Sequence, residues 1–121
     1  MPEVLVKLKE IAPVFAVRGN MDRGEWAKAL NPSEIVNIGE IMFYVIHEVN
    51  KLDISPESAD IKAVISGHTH VPSIKEKQGV LFINPGSTSL PRYWAKPSMA
   101  MIKINKNEIK DAKIISLKEY N

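Results

Sequence analysis

Two short runs, Val14-Phe15-Ala16-Val17 and Ala63-Val64-Ile65, are wholly apolar, and polar, glycine-containing loops follow them closely. Three or four residues are too few for a buried helix, so each run predicts a strand covered on both faces, as in a parallel sheet between other layers. A helix precedes the first run: Pro2 suits a first helical position, Val4, Leu5, Leu8 and Ile11 recur at helical spacing, and Pro13 stops the pattern. A helix feeding a buried strand is half of a βαβ unit, and the parallel strand that should come before it has no counterpart upstream of Pro2.

The rest of the chain reads as strands and tight turns. Glu34 to Ile38 and Ile41 to Ile46, separated by Gly39-Glu40, predict a β-hairpin whose second strand is apolar on both faces and ends at His47. Asn50 to Asp60 predicts a loop with a short helix. Ile74 to Lys77 and Val80 to Ile83 flank a Gln78-Gly79 turn, and Asn84-Pro85-Gly86-Ser87 fits a type II turn with Gly86 supplying the positive φ. Ser98 to Ile104 and Ala112 to Leu117 are expected as a last hairpin around a turn from Asn105 to Lys110. No internal repeat or linker interrupts this order, so residues 1–121 are expected to form one mixed domain.

Composition narrows the chemistry. With 45% hydrophobic and 25% charged residues the chain is of ordinary globular character. Sixteen Lys and Arg against fourteen Asp and Glu leave +2, scattered along the sequence, so neither specific nucleic-acid binding nor an anionic membrane is indicated. The longest apolar stretch, Ile41 to Ile46, is too short to span a bilayer, and no secretion signal is present, so a cytoplasmic location is expected. The absence of cysteine excludes disulfides, thiolate nucleophiles and Cys-ligated zinc, leaving His, Asp, Glu and Asn as candidate metal ligands.

All three histidines fall at expected strand exits: His47, and His68 with His70 in the loop Gly67-His68-Thr69-His70. Asn20 occupies a third exit, in Arg18-Gly19-Asn20-Met21-Asp22. Open α/β sheets place their chemistry at such ends, and imidazole with amide oxygen suits manganese, iron, nickel or zinc. Each feature alone is ordinary: Gly-Asn is common turn chemistry, and a lone strand-end histidine is most often structural.

Together and in this order the segments resemble the calcineurin-like metallophosphoesterases, in particular their small single-domain phosphodiesterase branch, to which the retromer subunit of this fold is also similar. The resemblance rests on Val17 to Asp22, on Val45-Ile46-His47, on Gly67 to His70 followed by Val71-Pro72, and on Asn84 to Ser87 through Leu90-Pro91-Arg92. It implies an α/β fold, the αββα sandwich of metallo-dependent phosphatases, here lacking the first strand-helix-strand unit. It further implies that Asn20, His47 and His68 bind one divalent ion and His70 a second, with Asp22 as a catalytic residue that orients a neighbouring group. The implied cofactors are two divalent ions, Mn2+ foremost, with Ni2+, Fe2+ or Zn2+ as alternatives. The implied substrate is a small phosphodiester, attacked by a hydroxide that bridges the two metals.

Three departures qualify the resemblance. Met21 replaces the histidine that many phosphatases of the superfamily carry after the metal-binding Asn, and it cannot donate a proton, which favours the phosphodiesterase branch. Glu48 stands where the family usually has Gly; its side chain could reach the metal, but it is expected to be solvated. No Asp-x-His occurs in the chain, so the motifs that complete the two-metal site are missing. Two further readings therefore stand beside the enzyme: a catalytically impaired scaffold or protein-binding module of the same fold, and a truncated reading frame. Apolar surface on Val14 to Val17 and Ala63 to Ile65 is expected to be covered by additional N-terminal chain or by homo-oligomerisation.

Overall fold

The computed structural model describes residues 2–18, 25–52, 54–56, 58–88 and 96–117. Helix α1 spans Pro2–Ile11, as the Pro2 start and the spacing of its apolar residues predict. Glu3 in its first turn and Lys9 in its last complement the helix dipole. Its apolar stripe is largely open among the described residues: Val4, Leu8 and Ile11 are exposed and Leu5 is half-buried. A short helix, α2, follows at Glu25–Lys28. No described helix is long and apolar enough to cross a membrane.

Strands β1 (Ser33–Ile38), β2 (Ile41–Ile46), β3 (Ala63–Ser66), β4 (Ser73–Lys77) and β5 (Val80–Asn84) form one sheet in the order β1-β2-β3-β5-β4. β1–β2 and β4–β5 are antiparallel hairpins, while β2, β3 and β5 run parallel at the centre. Gly39, at φ 61°, and Gln78 and Gly79, at 54° and 77°, supply the left-handed backbone that the two tight turns require. A 3-10 helix at Val49–Lys51 begins the connection from β2 to β3.

Alternation along β2 explains why its apolar run is unbroken. Tyr44 and Ile46 pack with Ile61, Val64 and Val80 on one face of the sheet. Ile41 and Phe43 pack with Val36 and Ala63 on the other, against Ile102, Ile104 and Ile109 of a second, two-stranded sheet. That sheet is the hairpin β6 (Ser98–Asn105) and β7 (Glu108–Ser116). Each fully buried Ile or Val in these layers contributes roughly 1.5–3 kcal/mol.

Three expectations are corrected. Val14 to Val17 is not a buried strand: only Val17 makes an isolated parallel bridge, to Asn31, and Phe15 is 63% exposed. Apolar residues alone do not make a strand, because the backbone groups also need a neighbour to pair with, and among the described residues only Asn31 provides one. Ala63 to Ile65 exposes no edge, because β2 and β5 flank it, and Ala63 and Val64 are completely buried. Besides the exposed residues of α1, the described residues leave open an apolar groove of about 410 Å³ between the two sheets, lined by Phe15, Phe43, Val45, Ile65 and Ile102 among others. Finally, the last hairpin turns at Lys106-Asn107, with Lys106 at φ 53°, and β7 begins at Glu108, earlier than expected.

Candidate metal centre

The three central parallel strands end at one edge of the sheet, and their register sets the candidate ligands side by side. Ile46 on β2 pairs with Ser66 on β3, so the next residues, His47 and Gly67, are neighbours, and Gly67 N–H donates to the His47 carbonyl at 2.8 Å. Ile65 on β3 pairs with Ile83 on β5, which brings Asn84 level with the same exit. Parallel strands must all end in the same direction, which gathers residues 37 positions apart in sequence into one cluster.

His47 and His68 meet edge to face, with ring centroids 5.2 Å apart and planes at 80°. Nε2 of His47 is buried. The loop that carries His68 takes an uncommon path. Both His68 and His70 have left-handed backbones, at φ 72° and 62°, a conformation few non-glycine residues adopt and one that costs roughly 1–3 kcal/mol each.

Asn84 holds that loop in place. Its side-chain NH2 donates to the Gly67 carbonyl at 3.1 Å and to Thr69 Oγ1 at 2.9 Å, while its Oδ1 accepts from Gly86 N–H at 3.0 Å. Thr69 Oγ1 also accepts from Val71 N–H at 3.2 Å. Buried Asn84 thus ties the His-Thr-His loop to the Pro85-Gly86 turn. The turn is anchored in its own right, since Ser98 Oγ, also buried, donates to the Pro85 carbonyl at 2.7 Å.

Gly86 has the expected positive φ, 81°, and a Cβ there would overlap Ser98 Oγ. Gly86→Ala is therefore expected to destabilise the protein by about 1–3 kcal/mol. Gly67→Ala, where a Cβ would meet only the His47 ring and carbonyl at 3.8 Å, is expected to change stability by less than about 0.5 kcal/mol. Urea unfolding of both variants checks the contrast.

The sequence-predicted site is assembled in part. His47 and His68 are brought together, and His70 stands two residues further along the same loop, partly buried. Asn20 and Asp22, with Met21 between them, lie outside the described residues, as does Leu90-Pro91-Arg92. Glu48 contradicts its expected solvation: its side chain is 23% exposed, with Oε1 3.4 Å from Nε2 of His68. The polypeptide leaving β2 keeps the residue after His47 against the neighbouring strand exit. The role of Asn84 escaped the sequence reading, and the position of Glu48 at the site was set aside there in favour of solvation. For Asn84 a signal existed, an asparagine at the last position of an apolar strand; for Glu48 only its adjacency to His47 pointed to the site.

Two imidazoles and a carboxylate form a donor set that fits a divalent ion of the manganese to zinc series. Among the described residues no three His, Asp or Glu side chains close into a complete metal group, so His47, His68 and Glu48 do not make a complete site by themselves.

The family model for the calcineurin-like phosphoesterase superfamily domain matches residues 1–107. The chain belongs to this superfamily. It is 34% identical to a probable metallophosphoesterase of Methanocaldococcus jannaschii over 97% of its own length and 62% of that protein's, so it spans about six-tenths of that relative. Its fold is similar to that of an archaeal phosphodiesterase, at 27% identity and TM-score 0.71, covering 93% of this chain and 76% of that one. It is equally similar to Vps29 from Entamoeba histolytica in a complex with zinc, at 26% identity and TM-score 0.71, covering 95% and 74%. The two-sheet arrangement is thus the metallophosphoesterase fold.

Proposed function

We propose that this chain carries part of the metal centre of a phosphodiesterase, with Asn20, His47 and His68 holding one divalent ion and His70 reaching a second. The observation that carries this reading is the meeting of His47 and His68 at adjacent exits of parallel strands. When bound, divalent ions, manganese foremost, neutralise charge on the phosphoryl oxygens and make water acidic enough to attack phosphorus near neutral pH.

The chain's own residues prepare that chemistry. His47 and His68 bind through neutral imidazole nitrogens from fixed strand ends, so little side-chain freedom is lost on loading. Asn84 holds the left-handed loop that aims His68 and His70. Asp22 orients a group beside Asn20. Met21 cannot protonate a leaving group, which supports diesters with an acidic leaving alcohol over monoesters.

The test uses the whole chain, stripped with chelator and assayed on bis(p-nitrophenyl) phosphate and p-nitrophenyl phosphate. Added Mn2+ is expected to restore diester hydrolysis with little monoester cleavage. A folded chain that binds Mn2+ and hydrolyses neither substrate would favour the catalytically impaired scaffold.

A further inference from the structure

The Glu48 side chain is largely withdrawn from water, and among the described residues no Lys or Arg pairs with it. The Lys-carboxylate pairs among the described residues are Lys28–Glu25, Lys62–Asp60 and Lys110–Glu108, and none involves Glu48. A carboxylate held away from water is stable when a cation is paired with it or coordinated by it. Among the described residues Glu48 meets Nε2 of His68 at 3.4 Å. That spacing distinguishes two roles. A charge-assisted N–H···O bond spans about 2.7–2.9 Å, so the pair is too far apart for Glu48 to hold the imidazole by such a bond. Two donor atoms bound to one cation at about 2.0–2.2 Å lie roughly 3–3.5 Å from each other at bond angles between 90° and 109°, and the observed separation falls in that range.

Charge points the same way. Asn20, His47 and His68 are all neutral ligands, and three neutral donors leave a dication uncompensated. Glu48 follows His47 directly, and His68 stands in contact with both residues.

We propose that Glu48 is a further ligand of the ion that His68 holds, supplying this centre with a carboxylate from the exit of β2. The proposal rests on the metal-centre reading above. It is tested on the whole chain by titrating Mn2+, followed through the loss of the free-ion electron paramagnetic resonance signal, and by the visible absorption of the Co2+-loaded protein. Wild type is compared with Glu48→Gln, Glu48→Asp and His68→Ala, with circular dichroism confirming that each is folded.

Glu48→Gln is expected to weaken Mn2+ binding at least about tenfold. It should also shift the Co2+ bands, with Glu48→Asp recovering part of the affinity because it restores the charge. Unchanged affinity in Glu48→Gln alongside a loss in His68→Ala would overturn the proposal and leave the metal centre standing. Weakened binding with unmoved Co2+ bands would also overturn it, because Glu48 would then act only through His68. A folded wild type that binds neither ion would overturn the proposal and the metal-centre reading together.

Discussion

Asn84→Ala is expected to lower the stability of the chain by about 3 kcal/mol, from three hydrogen bonds worth roughly 1 kcal/mol each. The same change is expected to weaken divalent-ion binding about 10–100-fold, the cost typical of losing a residue that orients a metal ligand. Both effects follow from one side chain. Gly86 N–H can only donate, so Oδ1 must face it, and the NH2 group is thereby directed at the Gly67 carbonyl and Thr69 Oγ1. Removing the amide leaves those buried groups unsatisfied and releases a loop with two left-handed histidines, which then relaxes toward an ordinary backbone. Asn84→Asp separates the contributions. It keeps the acceptor for Gly86 and lets the Thr69 hydroxyl donate, but sets a carboxylate against the Gly67 carbonyl, so an intermediate loss is expected. Urea unfolding reads the first effect and Mn2+ titration the second; wild-type affinity in a destabilised Asn84→Ala protein would show that the loop holds its shape without the amide.

What the sequence showed of the fold came from features with local causes. Gly39-Glu40 and Gln78-Gly79 each join two short strands, and only tight hairpin turns need left-handed backbone at those positions. Ala63 to Ile65 was legible as a two-faced strand because three consecutive apolar residues leave no polar side. Val14 to Val17 has the same pattern and a different outcome, since apolarity specifies cover and says nothing of a pairing partner. β7 begins before the expected start because Glu108, Lys110 and Asp111 resemble a turn in sequence, yet Ile109 and Ala112 face inward while the charges face water.

The candidate site was legible through order and not through any one residue. His47, the Gly-His-Thr-His loop and Asn84 mark three strand exits, but only the parallel register places them together. Side-chain reach is not written in the sequence, and for that reason Glu48 was assigned to solvent when its carboxylate in fact lies against His68.

His47→Ala and His68→Ala are each expected to lower Mn2+-dependent diester hydrolysis on the order of 100-fold or more, and the double variant is expected to lose no more than the worse single one. Non-additivity is the informative part. Two ligands of one ion act as a unit, because removing either empties the same position and leaves the second nothing to bind. Two histidines with separate roles, one binding and one merely packed at an edge-to-face contact, would give losses that multiply. Their proximity makes some coupling certain, since neighbouring rings share surroundings, but packing alone couples by about 0.5–1.5 kcal/mol, near tenfold at most. Coupling that cancels a full 100-fold loss requires a shared ligand. His70→Ala in the same background adds a further distinction: as the ligand of a second ion it is expected to reduce hydrolysis while leaving the tighter Mn2+ binding step in place, and loss of all Mn2+ binding would assign it to the position that His47 and His68 share.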